Sequence, residues 1–328
     1  MTTVLVTGAT GFVGQHLLRE LREAGVTVRA LSRSDASDAT LAAAGIASVR
    51  GDLAQPQSLA SAVTADLDAI FHTAADTSTW RGDAARQTLV NVEGTRALAQ
   101  AALASGVRMI HTASVSCFSH LVHATLTEDT PRRGGESWVN YERSKYLGEE
   151  AVRAAMAQGL QATILYPAHI FGPGDTHNWA RLVQLVDRGE LPGAPPGAGA
   201  FADVREVAKA HVAAWQRDCV GRSYLLGGEH ARFLDLIQRI GRRLGRKVPE
   251  RATPAVAIRA YARLQEFIAG VRGRKPALTA EAAQFTCHDL VVDSARAQRE
   301  LDYRITPLDR LLDDTIGWMR GAGMLIRK

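Results

Sequence analysis

The sequence predicts an α/β protein, a doubly wound parallel sheet covered by helices on both faces, with a smaller, mostly helical C-terminal lobe. Three observations predict it. Short apolar, β-branched runs alternate with longer Ala/Leu-rich stretches of helical spacing through the first half. The first run opens directly into a glycine-rich turn, and after residue 228 helical patterns dominate. Repeated β-α alternation requires crossover helices, and these cover both faces of a parallel sheet.

In chain order, TVLVTG (3–8), VTVRALS (26–32), IASVR (46–50), DAIFHTA (68–74), RMIHTAS (108–114) and ATILYP (162–167) read as strands, with RSYLLGG (222–228) and DLVVD (289–293) later. Pro and Gly between Leu191 and Gly199 break the rhythm. The expected division places residues 1–167 in the sheet domain, with 201–227 and about 288–293 returning to it, and 168–200 plus 228–328 in the lobe. No internal repeat is visible.

The 328 residues, 46% hydrophobic and 22% charged, fit a soluble globular chain able to bury one large core or two smaller ones. No apolar run nears the roughly 20 residues of a membrane-spanning helix. MTTVLVTGATG enters a strand without the basic and apolar regions of a cleaved signal, so a cytoplasmic protein is expected. Cys117, Cys219 and Cys287 form neither a disulfide framework nor a metal-ligand spacing. No metal site is expected.

Net charge is +5, but Arg232 to Lys275 carries twelve Lys/Arg against three acids, which leaves −4 elsewhere. This segment reads as solvated helix faces, or alternatively as attraction for an anionic substrate or membrane surface. No aromatic-interleaved basic stripe points to nucleic acid. Within it, Ile258, Tyr261, Leu264 and Phe267 recur at helical spacing beside Arg259 and Arg263. Such a helix could wall a pocket for a long hydrophobic substrate, pack inside the lobe, or meet a second subunit.

Gly8, Gly11 and Gly14 follow the first strand and open a helix, a context in which the backbone can approach a pyrophosphate. At the end of the second strand Ser32 and Arg33 stand where an NAD site usually carries an acid, and an arginine there suits the 2′-phosphate of NADP. Asp52 closes another strand, where its carboxylate could accept from the adenine amino group. Tyr141 and Lys145, four apart, leave one side of a helix, so their polar ends can converge.

Gly8-Ala9-Thr10-Gly11-Phe12-Val13-Gly14, Gly51-Asp52-Leu53, His72-Thr73-Ala74-Ala75, Asn91-Val92-Glu93-Gly94-Thr95, Ser114, Tyr141-Glu142-Arg143-Ser144-Lys145 and Gly172-Pro173-Gly174-Asp175 stand in one order. This series resembles the extended short-chain dehydrogenase/reductase family over essentially the whole chain. VRALSR, HTAADTSTW and YERSKYLGE resemble its dihydroflavonol 4-reductase-like and 3β-hydroxysteroid dehydrogenase-like branch. The resemblance implies a Rossmann-type domain and an NADP(H)-dependent reductase or dehydrogenase acting on a carbonyl/alcohol pair in a fairly apolar small molecule. A homodimer is possible.

It further implies Ser114, Tyr141 and Lys145 as catalytic residues. Tyr141 is then the acid/base, and Lys145, with the charge of the oxidised cofactor, favours its phenolate. The position beside Ser114, often a second serine, is Ala113, with Thr112 and Ser116 as possible substitutes. Cofactor contacts are implied for Gly8, Thr10, Gly11, Phe12, Val13, Gly14, Ser32, Arg33, Asp52, Leu53, Thr73, Ala74, Ala75, Asn91, Tyr141, Lys145, Tyr166, Pro167 and Ile170. Asn91 equally suits a purely structural role. Thr77, Trp80, Ser116, His169 and Trp179 are candidate substrate residues. His72, His111, His120 and His123 read as packing or surface residues. Rivals are a nucleotide-sugar epimerase or dehydratase using NAD, and a non-catalytic redox-sensing or scaffold protein on the same fold.

Overall fold

The first strand, β1 (Thr3–Thr7), is fully apolar through Val4, Leu5 and Val6, all wholly buried, because both of its faces are covered by helices. It leads to α1 (Phe12–Glu23), β2 (Thr27–Ser32), α2 (Asp35–Ala43), β3 (Ala47–Arg50) and β4 (Ala69–His72). A continuous helical stretch follows as α3 (Ala84–Thr88), a π-helical turn (Leu89–Gly94) and α4 (Thr95–Ser105). Then come β5 (Arg108–Thr112), the short β6 (Thr125–Leu126), α5 (Asn140–Ala157) and β7 (Ala162–Pro167). This computed structural model describes residues 2–119, 122, 124–272 and 275–326. His120 and His123 lie outside the described residues.

The remaining elements are β8 (His169–Phe171), α6 (Trp179–Arg188), β9 (Ala198–Asp203), α7 (Val204–Gln216), β10 (Ser223–Leu226) and β11 (Glu229–Arg232). They are followed by α8 (Phe233–Leu244), α9 (Ala255–Arg272), α10 (Ala280–Thr286), β12 (Val291–Val292), α11 (Ala295–Leu301) and α12 (Leu308–Gly321). Seven strands form one parallel sheet in the order β10-β7-β5-β4-β1-β2-β3. Strand order reverses direction between β1 and β4, the place where open α/β sheets bind ligands at their carboxyl ends. One core lies between the sheet and α4/α5, a second on the α1/α7 face, and a third fills the lobe between α6, α8 and α12.

Three segments differ from the sequence expectation. Residues 198–203, expected from 201 onward in the main sheet, form the centre of a separate three-stranded sheet with β8 and β11, and only α7 and β10 rejoin the large domain. The strand expected at 289–293 shrinks to β12 and pairs with β6. Residues 295–303 return instead, because Ala297, Leu301 and Tyr303 share one apolar face that fills the α1/α7 core.

In α9 the row Ile258, Tyr261, Leu264, Phe267 does not share a face. Each three-residue step lags a full turn by about 60°, so three steps rotate the row to the opposite side. Ile258 accordingly packs on Ala283 of α10, whereas Phe267 is 71% exposed. The row therefore forms neither a pocket wall nor a core stripe.

Candidate active site

After β1 the chain turns through Gly8 at φ 72°, the left-handed region open to glycine. A Cβ on Gly8 would stand 2.8 Å from the Ala74 amide nitrogen, and one on Gly14 would stand 2.0 Å from the Gly8 carbonyl oxygen. The turn, α1 and the loop after β4 thus meet backbone to backbone. No side chain caps α1 at Gly11, so its first amides and dipole face the turn past Thr10, Phe12 and Val13. The Thr73 hydroxyl donates to the Thr7 carbonyl at 2.7 Å and carries Ala74 and Ala75 along the same edge. A dinucleotide pyrophosphate fits this cradle.

At the far end of the cradle Ser32 is buried and donates to the Ser34 carbonyl at 3.2 Å. Arg33 is exposed and has no ion-pair partner among the described residues. The Asp52 carboxylate accepts from the Ala54 amide at 2.9 Å, which fixes the turn, and Leu53 is buried against Gly94. Sequence reading missed Asp38. From α2 its carboxylate pairs with Arg50 at 2.6 Å, and the neighbouring Ser32 and Ser48 hydroxyls, with Arg50, hold its pKa below the ordinary value.

Tyr141 and Lys145 lie in the first turns of α5, where the interior face also carries Ser144, Gly148 and Glu149. Tyr141 is half-buried. Burial pushes its pKa up to about 12, and the facing Ser114 hydroxyl partly offsets that shift. Lys145 is buried and donates to the Thr112 carbonyl at 2.8 Å, and burial lowers its pKa. The expected depression of the Tyr141 pKa by Lys145 is not seen in this state: desolvation is the largest cause of the rise, and Cys117 and Glu142 beside the ring add to it. Ser114 begins a short 3₁₀ turn and accepts from the Ser116 amide at 3.2 Å. Ser116 itself is buried. Thr112 turns to the opposite face of the sheet, bonding His211 at 2.8 Å, and so cannot stand in for the missing serine.

The Tyr166 ring points into the core, its hydroxyl donating to Glu149 at 2.6 Å and accepting from Arg153 at 2.8 Å, so no ring contact with a cofactor follows. Pro167 ends β7 at the sheet's carboxyl edge, and Ile170 lies in β8 of the smaller sheet. Asn91 spends its amide on the Asp76 backbone, at 2.8 and 2.9 Å, and on Ser144 at 3.1 Å, which makes it a strut between the β4 loop and α5.

His72 and His111 are buried and stacked at 5.3 Å, both with pKa values lowered by burial. The packing reading fits both.

Thr77 is exposed, while Trp80 folds over Gly82 of its own loop. That loop is covered from the lobe by Lys275, bonded to Ser78 at 3.1 Å, and by Thr279, bonded to Thr79 at 2.9 Å. His169 and Trp179 do come together, 5.1 Å apart, within an aromatic group completed by Phe201 and Phe233. The sequence reading missed Phe285. From α10 its ring meets Tyr141 edge-on at 6.2 Å and 88°. A segment 144 positions away in the chain carries no local signal for such a contact.

The profile of the NAD dependent epimerase/dehydratase family matches residues 4–227. Sterol demethylase protein B of Methylococcus capsulatus is 30% identical over 98% of this chain and 100% of its own. The 2-alkyl-3-oxoalkanoate reductase of Stenotrophomonas maltophilia is 32% identical over 72% of this chain and 74% of its own. Among solved structures, gox2253 superimposes with a TM-score of 0.83 at 31% identity, covering 99% of this chain and 100% of that one.

Proposed function

The chain belongs to the NAD dependent epimerase/dehydratase family, and on that premise we propose that it is an NADP(H)-dependent oxidoreductase interconverting a ketone or aldehyde and an alcohol on a fairly apolar small molecule. The carrying observation is Tyr141, half-buried between Ser114 and Phe285 with buried Lys145 one turn along α5. The nicotinamide, when bound, supplies or takes up the hydride. In reduction, Tyr141 gives its phenolic proton to the substrate oxygen while Ser114 donates a hydrogen bond to that oxygen. Lys145 opposes the desolvation that the resulting phenolate suffers, since a cation one turn away lowers a phenol's pKa.

The remaining assignments follow from position. The glycine turn and the uncapped start of α1 hold the pyrophosphate, and Arg33, free of partners among the described residues, receives the 2′-phosphate. His169 and Trp179 offer apolar area with a polar rim to the substrate body, and Phe285 walls the reacting carbon. The names of the sterol and oxoalkanoate relatives support an apolar substrate.

One observation favours a second reading. The Asp38 carboxylate stands at Ser32, where it could accept from ribose hydroxyls in an NAD-linked epimerase. A panel of ketones, aldehydes, alcohols and nucleotide sugars, with NADPH and NADH in parallel, separates the two. Net consumption of NADPH by an apolar carbonyl supports the reductase. Sugar epimerisation without net cofactor turnover, or a preference for NADH, overturns it.

A further inference from the structure

We propose that Glu281 is a positioning residue for Tyr141: from the C-terminal lobe it caps the helix that carries the tyrosine and so sets where the hydroxyl is presented. The inference rests on the reading of Tyr141 as acid/base. Helix α5 begins after Val139, whose side chain caps nothing, although a helix start leaves amide donors without partners. The cap comes from 141 residues away. The Glu281 carboxylate, 2% exposed, accepts from the Asn140 amide at 2.9 Å, one residue before the tyrosine.

Phe285, one turn further along α10, lies edge-on to the Tyr141 ring. One face of α10 therefore holds the first amide of α5 and the ring of the tyrosine that follows it. Helix α10 is itself tied at its start. Thr279 caps it by accepting from the Ala282 amide at 3.0 Å while donating to Thr79, and Glu266 of α9 accepts from the Ala280 amide at 2.9 Å. The placement of Tyr141 therefore depends on α10 being docked. A carboxylate at a helix N-terminus also meets the positive end of the dipole, which makes it a stronger cap than a neutral oxygen.

The test compares Glu281→Ala, Glu281→Gln and Tyr141→Phe in the full chain. Turnover of the best ketone from a panel is read with NADPH, together with amide hydrogen exchange of residues 139–144 and NADPH binding. Glu281→Ala should lower kcat about ten- to thirtyfold, leave the KM for NADPH within about twofold, and speed exchange at the helix start about tenfold or more. Glu281→Gln keeps an acceptor oxygen and should recover at least about a third of wild-type kcat.

Wild-type kcat and exchange in a folded Glu281→Ala would overturn the proposal, as would a Gln variant no better than Ala. Exchange is read without turnover, so the cap is tested even where no ketone reacts. An inactive Tyr141→Phe beside a fully active Glu281→Ala removes only the positioning role. An active Tyr141→Phe removes the acid/base reading itself.

Discussion

Replacing Gly14 by alanine places a methyl group where the backbone is already in contact. The new Cβ would stand 2.0 Å from the Gly8 carbonyl oxygen and 2.8 Å from the Ala9 Cα. Neither neighbour is a flexible side-chain end, so α1 must retreat from the glycine turn by roughly 1 Å to restore an ordinary contact. Overpacking of this kind costs about 1–3 kcal/mol. Part of it appears as lost stability. Part appears as lost affinity, since the amides at the start of α1 move away from the pyrophosphate they would bind. If about half of it falls on binding, at about 1.4 kcal/mol per factor of ten, NADPH affinity should fall about two- to tenfold. Quenching of tryptophan fluorescence during NADPH titration measures it, with thermal unfolding alongside. A Gly14→Ala protein with wild-type Kd and Tm would refute the argument that the turn is closed backbone to backbone.

Other expectations follow from the same geometry. Arg33→Ala removes an exposed side chain that has no partner among the described residues, so stability should hold while NADPH binding weakens about ten- to a hundredfold and NADH binding does not; equal loss for both cofactors in parallel titrations would contradict this. With Tyr141 pushed up to about 12, the phenol stays protonated, so ketone reduction should be nearly flat from about pH 6 to 9 in a pH–rate profile, and a loss of rate centred near neutrality would contradict it.

His72 and His211 are held neutral by burial, at about 3 and about 4 against an ordinary 6.5. Between those values the unfolded chain binds more protons, so each site takes away about 1.4 kcal/mol per pH unit as pH falls below about 6.5. Urea melts from pH 7 to 5 should show that slope. Glu149→Ala strips the buried partner from Arg132 at 2.7 Å, Arg153 at 2.6 Å and the Tyr166 hydroxyl at 2.6 Å, and should cost about 3–5 kcal/mol, read as a fall in the urea midpoint.

What the sequence made legible was local in chain distance. Gly8, Gly11 and Gly14 sit within one turn and its helix, and Tyr141 and Lys145 within one helical turn, so spacing alone placed them. The strand runs were legible because strands buried on both faces are continuously apolar. The direction of the Tyr166 ring was not legible, because a strand alternates its side chains and one position decides whether a ring faces the core or the site. Asp38, Glu281 and Phe285 were missed because they arrive from a helix returning over β2 and from a lobe helix, contacts to which no sequence period points. The α9 row failed for a geometric reason, a three-residue step drifting around the helix.

The central claim, that Tyr141 transfers the proton in a nicotinamide-linked carbonyl reduction, is tested most directly by single-turnover reduction of one apolar ketone, followed through NADPH absorbance in wild type and Tyr141→Phe. The account predicts a rate lowered at least about a hundredfold in the variant with NADPH affinity unchanged. Wild-type rates in Tyr141→Phe at equal NADPH affinity would contradict it.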